Sequence, residues 1–173
     1  MTQVAFLRKA DVPTKTEIER VIKGLGYDFK ILNDSENVVE LGGLSCSING
    51  HETFFETYFG QPKEITNDCD WIKPDLTNQD IALSFVWGAD FAAGTCIGLI
   101  SIALIDKGQA LIYYLDDEMK YTREMLVADL PQFLNELEKQ NRNKASSPTD
   151  QKPTKNVEID KKSFWEKLKG LFN

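Results

Sequence analysis

Histidine is all but missing from this chain: His51 is the only one in 173 residues. Cysteine is scarce as well, and Cys46, Cys69 and Cys96 show neither a CxxC pair nor any regular spacing. One histidine and three scattered thiols do not reach the ligand spacing of a structural zinc site. An odd thiol count without pairing points to reduced cysteines in a cytosolic compartment. A catalytic histidine needs a nucleophile and an orienting carboxylate. Glu52 and Glu56 lie near His51, but no GxSxG elbow exists, and His51 is expected to be exposed beside a turn. Gly88, Gly94 and Gly98 lack the G-x-G start of a dinucleotide fingerprint. The longest apolar run, Phe91 to Ile105, is closed off by Asp90 and Asp106. It falls short of the roughly 20 residues that cross a bilayer and reads as a buried core helix. Met1 to Lys9 lacks the basic-then-apolar order of a signal peptide. These absences point away from catalysis, and no cofactor or metal is expected.

What is present is an uneven charge distribution. The net charge is -7, but from Arg142 onward the chain carries eight basic and four acidic residues, or +4. The part before it carries twelve basic and twenty-three acidic residues, or -11. An acidic body repels phosphate backbones, so direct nucleic-acid binding is not expected, and a basic protein partner suits it better. The organisation follows the same break. Residues 1–140 read as an acidic α+β domain, 141–162 as a flexible linker containing Pro148 and Pro153, and 163–173 as an amphipathic peptide.

Within the domain, Thr14 and Glu17 form a capping box ahead of Ile18, Val21, Ile22 and Leu25, which lie on one helical face. Tyr27 to Leu32 reads as a strand. Asn49-Gly50 between two alternating runs predicts a type I′ hairpin, because both central residues must take positive φ. In the second arm Thr53, Phe55, Thr57 and Phe59 share one face, and Phe54, Glu56 and Tyr58 the other. Aromatics on both faces imply that both are covered, one of them by a partner if not by the chain itself. Gln61 to Asn78 reads as a long connection pinned by Trp71 and Ile72. Ile81 to Trp87 reads as a strand, and Asp90 as the N-cap of the apolar helix. Gly94 and Gly98 are expected to let that helix pack closely on the sheet. Gln109 to Leu115 reads as a strand, Asp116-Asp117-Glu118 as an acidic turn, and Thr122 as the cap of a last helix that Pro131 should kink or split. The fold class expected is α+β, a mainly antiparallel sheet with helices packed on it.

Two acidic groups, Asp68 with Asp70 and Asp116 with Asp117 and Glu118, offer oxygen ligands for a divalent cation. The second lacks the glycine and terminal glutamate of a calcium loop, and both read as solvated turns. In the C-terminal peptide, Phe164, Trp165, Leu168, Leu171 and Phe172 fall at i, i+1, i+4, i+7 and i+8 on one face, with Glu166, Lys167 and Lys169 on the other. Such a peptide is too short to hold a helix unaided. Its own domain, a membrane interface and a groove on another protein are three surfaces against which it could fold.

Several segments together resemble small bacterial proteins of immunity type that accompany polymorphic or contact-dependent toxins. They are Leu7-Arg8 with Ala10-Asp11-Val12-Pro13-Thr14, Gly26-Tyr27-Asp28, Leu44-Ser45-Cys46 with Asn49-Gly50, Phe55-Glu56-Thr57-Tyr58-Phe59, Ser84 to Asp90, and Leu111-Ile112-Tyr113-Tyr114. The resemblance covers residues 1–140 and implies a single α+β domain that acts by binding. The expectation is a cytoplasmic, non-enzymatic protein that occludes a toxin through Glu52, Glu56, Tyr58, Asp116, Asp117 and Glu118. The alternatives are a membrane or scaffold adaptor acting through the C-terminal peptide, and a metal-dependent hydrolase using the acidic turn.

Overall fold

The computed structural model describes residues 1–39 and 41–145. Seven strands form one sheet: β1 (Thr2–Leu7), β2 (Phe29–Ile31), β3 (Gly43–Ile48), β4 (His51–Gly60), β5 (Ile81–Val86), β6 (Leu111–Tyr114) and β7 (Met119–Tyr121). Their order is β2-β3-β4-β5-β1-β6-β7, and every neighbouring pair is antiparallel. The helices are α1 (Lys15–Gly24), α2 (Pro62–Thr66), α3 (Phe91–Gly108) and α4 (Arg123–Ala145), with 3-10 turns at Lys9–Asp11 and Asp70–Asp75. The α+β class expected from the sequence is the class observed.

Local chemistry explains most element ends. The Thr14 hydroxyl accepts from the Glu17 amide while the Glu17 carboxylate accepts from the Thr14 amide, so the capping box opens α1. Asp90 caps α3 by accepting from the Ala92 amide at 2.9 Å. Asn49 and Gly50 take φ of 48° and 81°, which closes the hairpin and pairs Ile48 with His51.

One face of the sheet, the inner face, carries α1, α3 and α4. Ala5, Leu7, Leu44, Cys46, Phe55, Leu83, Phe85 and Ile112 pack there against α3, which is buried along nearly its whole length. α3 has the length and apolarity of a membrane span, but it is enclosed by the protein. Arg123 ties α4 to α3 by donating to both carboxylate oxygens of Asp106, at 2.6 and 3.0 Å.

Four features of the fold depart from what the sequence predicts. The N-terminal segment, not assigned to any element, is β1 in the interior of the sheet between β5 and β6. β7, also unassigned, is an edge strand. Gly94 and Gly98 face α4 rather than the sheet: a β-carbon on Gly94 would lie 2.8 Å from the Phe133 ring, and one on Gly98 3.3 Å from Leu130. Pro131 does not split the last helix, which continues from Arg123 to Ala145, beyond the break expected at residue 140. Pro131 and Val127, whose carbonyl the missing amide would have met, both lie on the exposed side of α4, so the lost bond is open to solvent rather than buried.

Candidate binding face

Among the described residues, the opposite, outer face is roofed over only half its width. The stretch from Gln61 to Asn78, read from sequence as a long connection pinned by Trp71 and Ile72, contains α2 and a 3-10 turn. It lays Ile65, Cys69, Trp71, Ile72 and Leu76 over Val4, Phe6, Ala82 and Tyr113. Trp71 meets Tyr113 edge-on at 5.4 Å. The Tyr113 hydroxyl and the Lys120 amine both donate to Asp75 Oδ2, at 2.6 and 2.8 Å, and fasten the end of this roof to β6 and β7. Those donors hold the Asp75 carboxyl below its ordinary pKa, Lys120 having the larger effect.

Over β2, β3 and β4 nothing among the described residues covers the sheet. The hairpin register sends Thr53, Phe55 and Thr57 inward and Glu52, Phe54, Glu56 and Tyr58 outward. Phe54 is 59% exposed, the highest value among the exposed large apolar side chains of the described residues. Tyr58 is half-buried, and its hydroxyl donates to Glu56 Oε2 at 2.5 Å. Burial first, and then the neighbouring Glu56, push the Tyr58 pKa up to about 12.

Between the bare half and the roof runs an apolar groove of about 280 Å3. Tyr58, Ser84, Val86 and Thr2 line its sheet side, and Ile65 and Cys69 its roof side. Glu64 and Asp68 also line it, and no lysine or arginine does among the described residues. The register explains its extent. Glu56 pairs with Val86, Val86 with Thr2, and the Leu115 amide bonds the Thr2 carbonyl at 3.0 Å, so these four side chains form one outward row.

The expected contact residues are therefore only partly gathered. Glu52, Glu56 and Tyr58 share the outer face of β4. Asp116 follows Leu115 at the far end of the row, where its carboxylate accepts from the Thr2 amide at 2.6 Å. Three strand spacings, about 14 Å, separate it from Glu56. Asp117 and Glu118 are exposed in the β6–β7 turn beyond it. Phe54, Val86, Thr2 and the Glu64–Cys69 segment belong to this face and were not assigned to it from sequence. Alternation put Phe54 beside Glu56 and Tyr58, so that residue was within reach. The others required knowing that β5 pairs with β4 and β1 with β5.

His51 is half-buried, not exposed as expected, and shares a depression with Gly50, Glu52, Asp90, Leu137 and Gln140. Among the described residues no three His, Cys, Asp or Glu side chains are grouped to hold a metal. A second cavity, about 140 Å3, lies between α3, α4 and the inner face, lined by Gln3, Trp87, Tyr114, Tyr121, Asp129 and Phe133 among others. Trp87 Nε1 and Thr57 Oγ1 are buried without a hydrogen-bond partner. The C-terminal residues Phe164, Trp165, Leu168, Leu171 and Phe172 lie outside the described residues. Compared with known proteins, the chain matches no family model, no curated protein and no solved structure.

Proposed function

We propose that this chain is a non-enzymatic binding protein that receives a protein partner on the outer face of its sheet. The observation that carries the reading is Phe54: a large apolar ring, mostly exposed, set between Glu52 and Glu56 on the half of the sheet that no described residue roofs, the other half being covered by the Gln61–Leu76 stretch. A central aromatic within a charged rim is the arrangement of an interface anchor. The surrounding carboxylates suit a basic partner and would raise the rate of encounter with it. The resemblance to immunity-type proteins makes the proposed partner a toxin, neutralised in the cytoplasm by occlusion.

The test is affinity capture from the native host with three full-length baits: wild type, Phe54→Ser with Glu56→Lys, and Glu136→Lys on α4 as a control on another surface. The reading expects one protein retained by wild type and the α4 control and lost with the β4 variant. Retention by all three contradicts it. A second reading, a membrane adaptor, draws on the amphipathic spacing of Phe164 to Phe172 beside Lys161, Lys162, Lys167 and Lys169. Flotation with anionic vesicles that requires those residues, with no protein captured, would favour it.

A further inference from the structure

We propose that the C-terminal peptide of this same chain, Phe164 to Phe172, docks in the outer-face groove beside α2 and occupies part of the surface offered to the partner. Only the competition rests on the proposed function; the docking does not.

Three observations converge on this occupant. The first is chemical fit. The groove has an apolar floor containing Ala82 and Val86, a roof containing Ile65 and Cys69, and the carboxylates Glu64 and Asp68 in its lining. The peptide offers an apolar face of Phe164, Trp165, Leu168, Leu171 and Phe172, with Lys161, Lys162, Lys167 and Lys169 outnumbering Glu166 around it. The second is charge: the C-terminal part from Arg142 carries +4 and the preceding body -11. The third is reach. α4 passes Leu137 and Gln140 beside Gly50 and Glu52 at the hairpin tip and ends at Ala145. The residues 146–163 then extend up to about 60 Å, whereas six strand spacings make the whole sheet about 29 Å wide. A peptide this short gains helical structure only against an apolar surface, and the tether supplies the groove at high local concentration.

Cys69 makes the test possible without a label. It is half-buried in the groove wall, whereas Cys46 and Cys96 are fully buried. Alkylation of Cys69 by iodoacetamide is timed in purified full-length protein and in the full-length variant Trp165→Ala, Leu168→Ala, Phe172→Ala, with thermal melting as a check on folding. The expected result is that Cys69 reacts about fivefold more slowly in wild type, as a peptide docked about four-fifths of the time requires. Raising salt should narrow that gap, because the contact is partly ionic. The protection should not vary with protein concentration. Equal rates in the two proteins overturn the proposal. Protection that grows with concentration overturns it in favour of a second copy. Protection seen only with anionic vesicles present overturns it in favour of a membrane. Docking that passes this test while the β4 variant still captures the partner would leave the inference standing and remove the proposed function.

Discussion

The Phe54 ring lies across the backbone of Gly43 on the neighbouring strand, so that a β-carbon on Gly43 would sit 2.5 Å from Phe54 Cζ. Gly43 is buried beneath a ring that is itself 59% exposed. The glycine gives the ring a flat seat and holds it against the sheet, where an aromatic covering a bare strand position is at its most useful. Gly43→Ala must push the ring into solvent or shift β3. We expect a loss of about 1 kcal/mol in urea unfolding and weaker partner capture. Phe54→Ala should change stability by less than about 1 kcal/mol, because the ring is mostly exposed, yet should abolish capture.

Two helical glycines should respond in opposite ways to the same substitution. Gly24, at the end of α1, has open space around its missing β-carbon, and Gly24→Ala should stabilise by about 0.5 kcal/mol. A β-carbon added to Gly94 in α3 would lie 2.8 Å from the Phe133 ring. There overpacking of about 1–3 kcal/mol outweighs the helical gain of about 1 kcal/mol. Denaturant midpoints of the two variants against wild type check the contrast.

Thiol reactivity should separate into two classes. Cys46 and Cys96 are fully buried against one another in the core, and a hydrogen bond between them together with burial pushes the Cys96 thiol far up. Cys69 is raised by burial and then by Asp68, Glu118 and Asp70. Native protein should therefore yield at most one reactive thiol. Its rate should keep rising with pH beyond the range of an unperturbed cysteine. Unfolding in guanidinium should release all three thiols in the sequence. Counting modified sites by mass after timed alkylation tests this.

The roof over the outer face should loosen in acid. The Asp75 carboxyl is depressed by Lys120 and Tyr113. Its contribution is therefore present above the ordinary carboxylate pKa and is lost as pH falls through the lower folded-state value. Corrected for the slowing of intrinsic exchange in acid, hydrogen exchange in Asp70–Asp75 should lose protection below about pH 4. Asp75→Asn should accelerate it already at neutral pH. Unchanged exchange in that variant would mean Trp71 and Ile72 hold the roof without the Tyr113–Asp75–Lys120 link.

Features set by neighbouring residues were legible in the sequence. The Thr14–Glu17 box, the Asn49-Gly50 turn, the Asp90 cap and the alternation of β4 each depend on a few consecutive side chains, and each has its expected geometry. Features set by tertiary packing were not. β1 is apolar on successive residues because both of its faces are buried, so Val4 to Leu7 shows no period of two. β7 is three residues long and exposed at Met119 and Lys120, and the one inward ring of Tyr121 is too short a pattern to announce a strand. The Glu52–Glu56–Tyr58 part of the face followed from alternation alone. The Val86–Thr2–Leu115 part depends on β5 lying between β4 and β1, a long-range pairing that no local pattern encodes.

The most direct test of the central claim is hydrogen exchange on the full chain, free and bound to its captured partner. The account expects slowed exchange in His51–Gly60 and in the Pro62–Thr66 helix, with α4 unchanged. Slowing confined to α4, or to the β6–β7 turn, would place the contact elsewhere and contradict the outer sheet face as the binding surface.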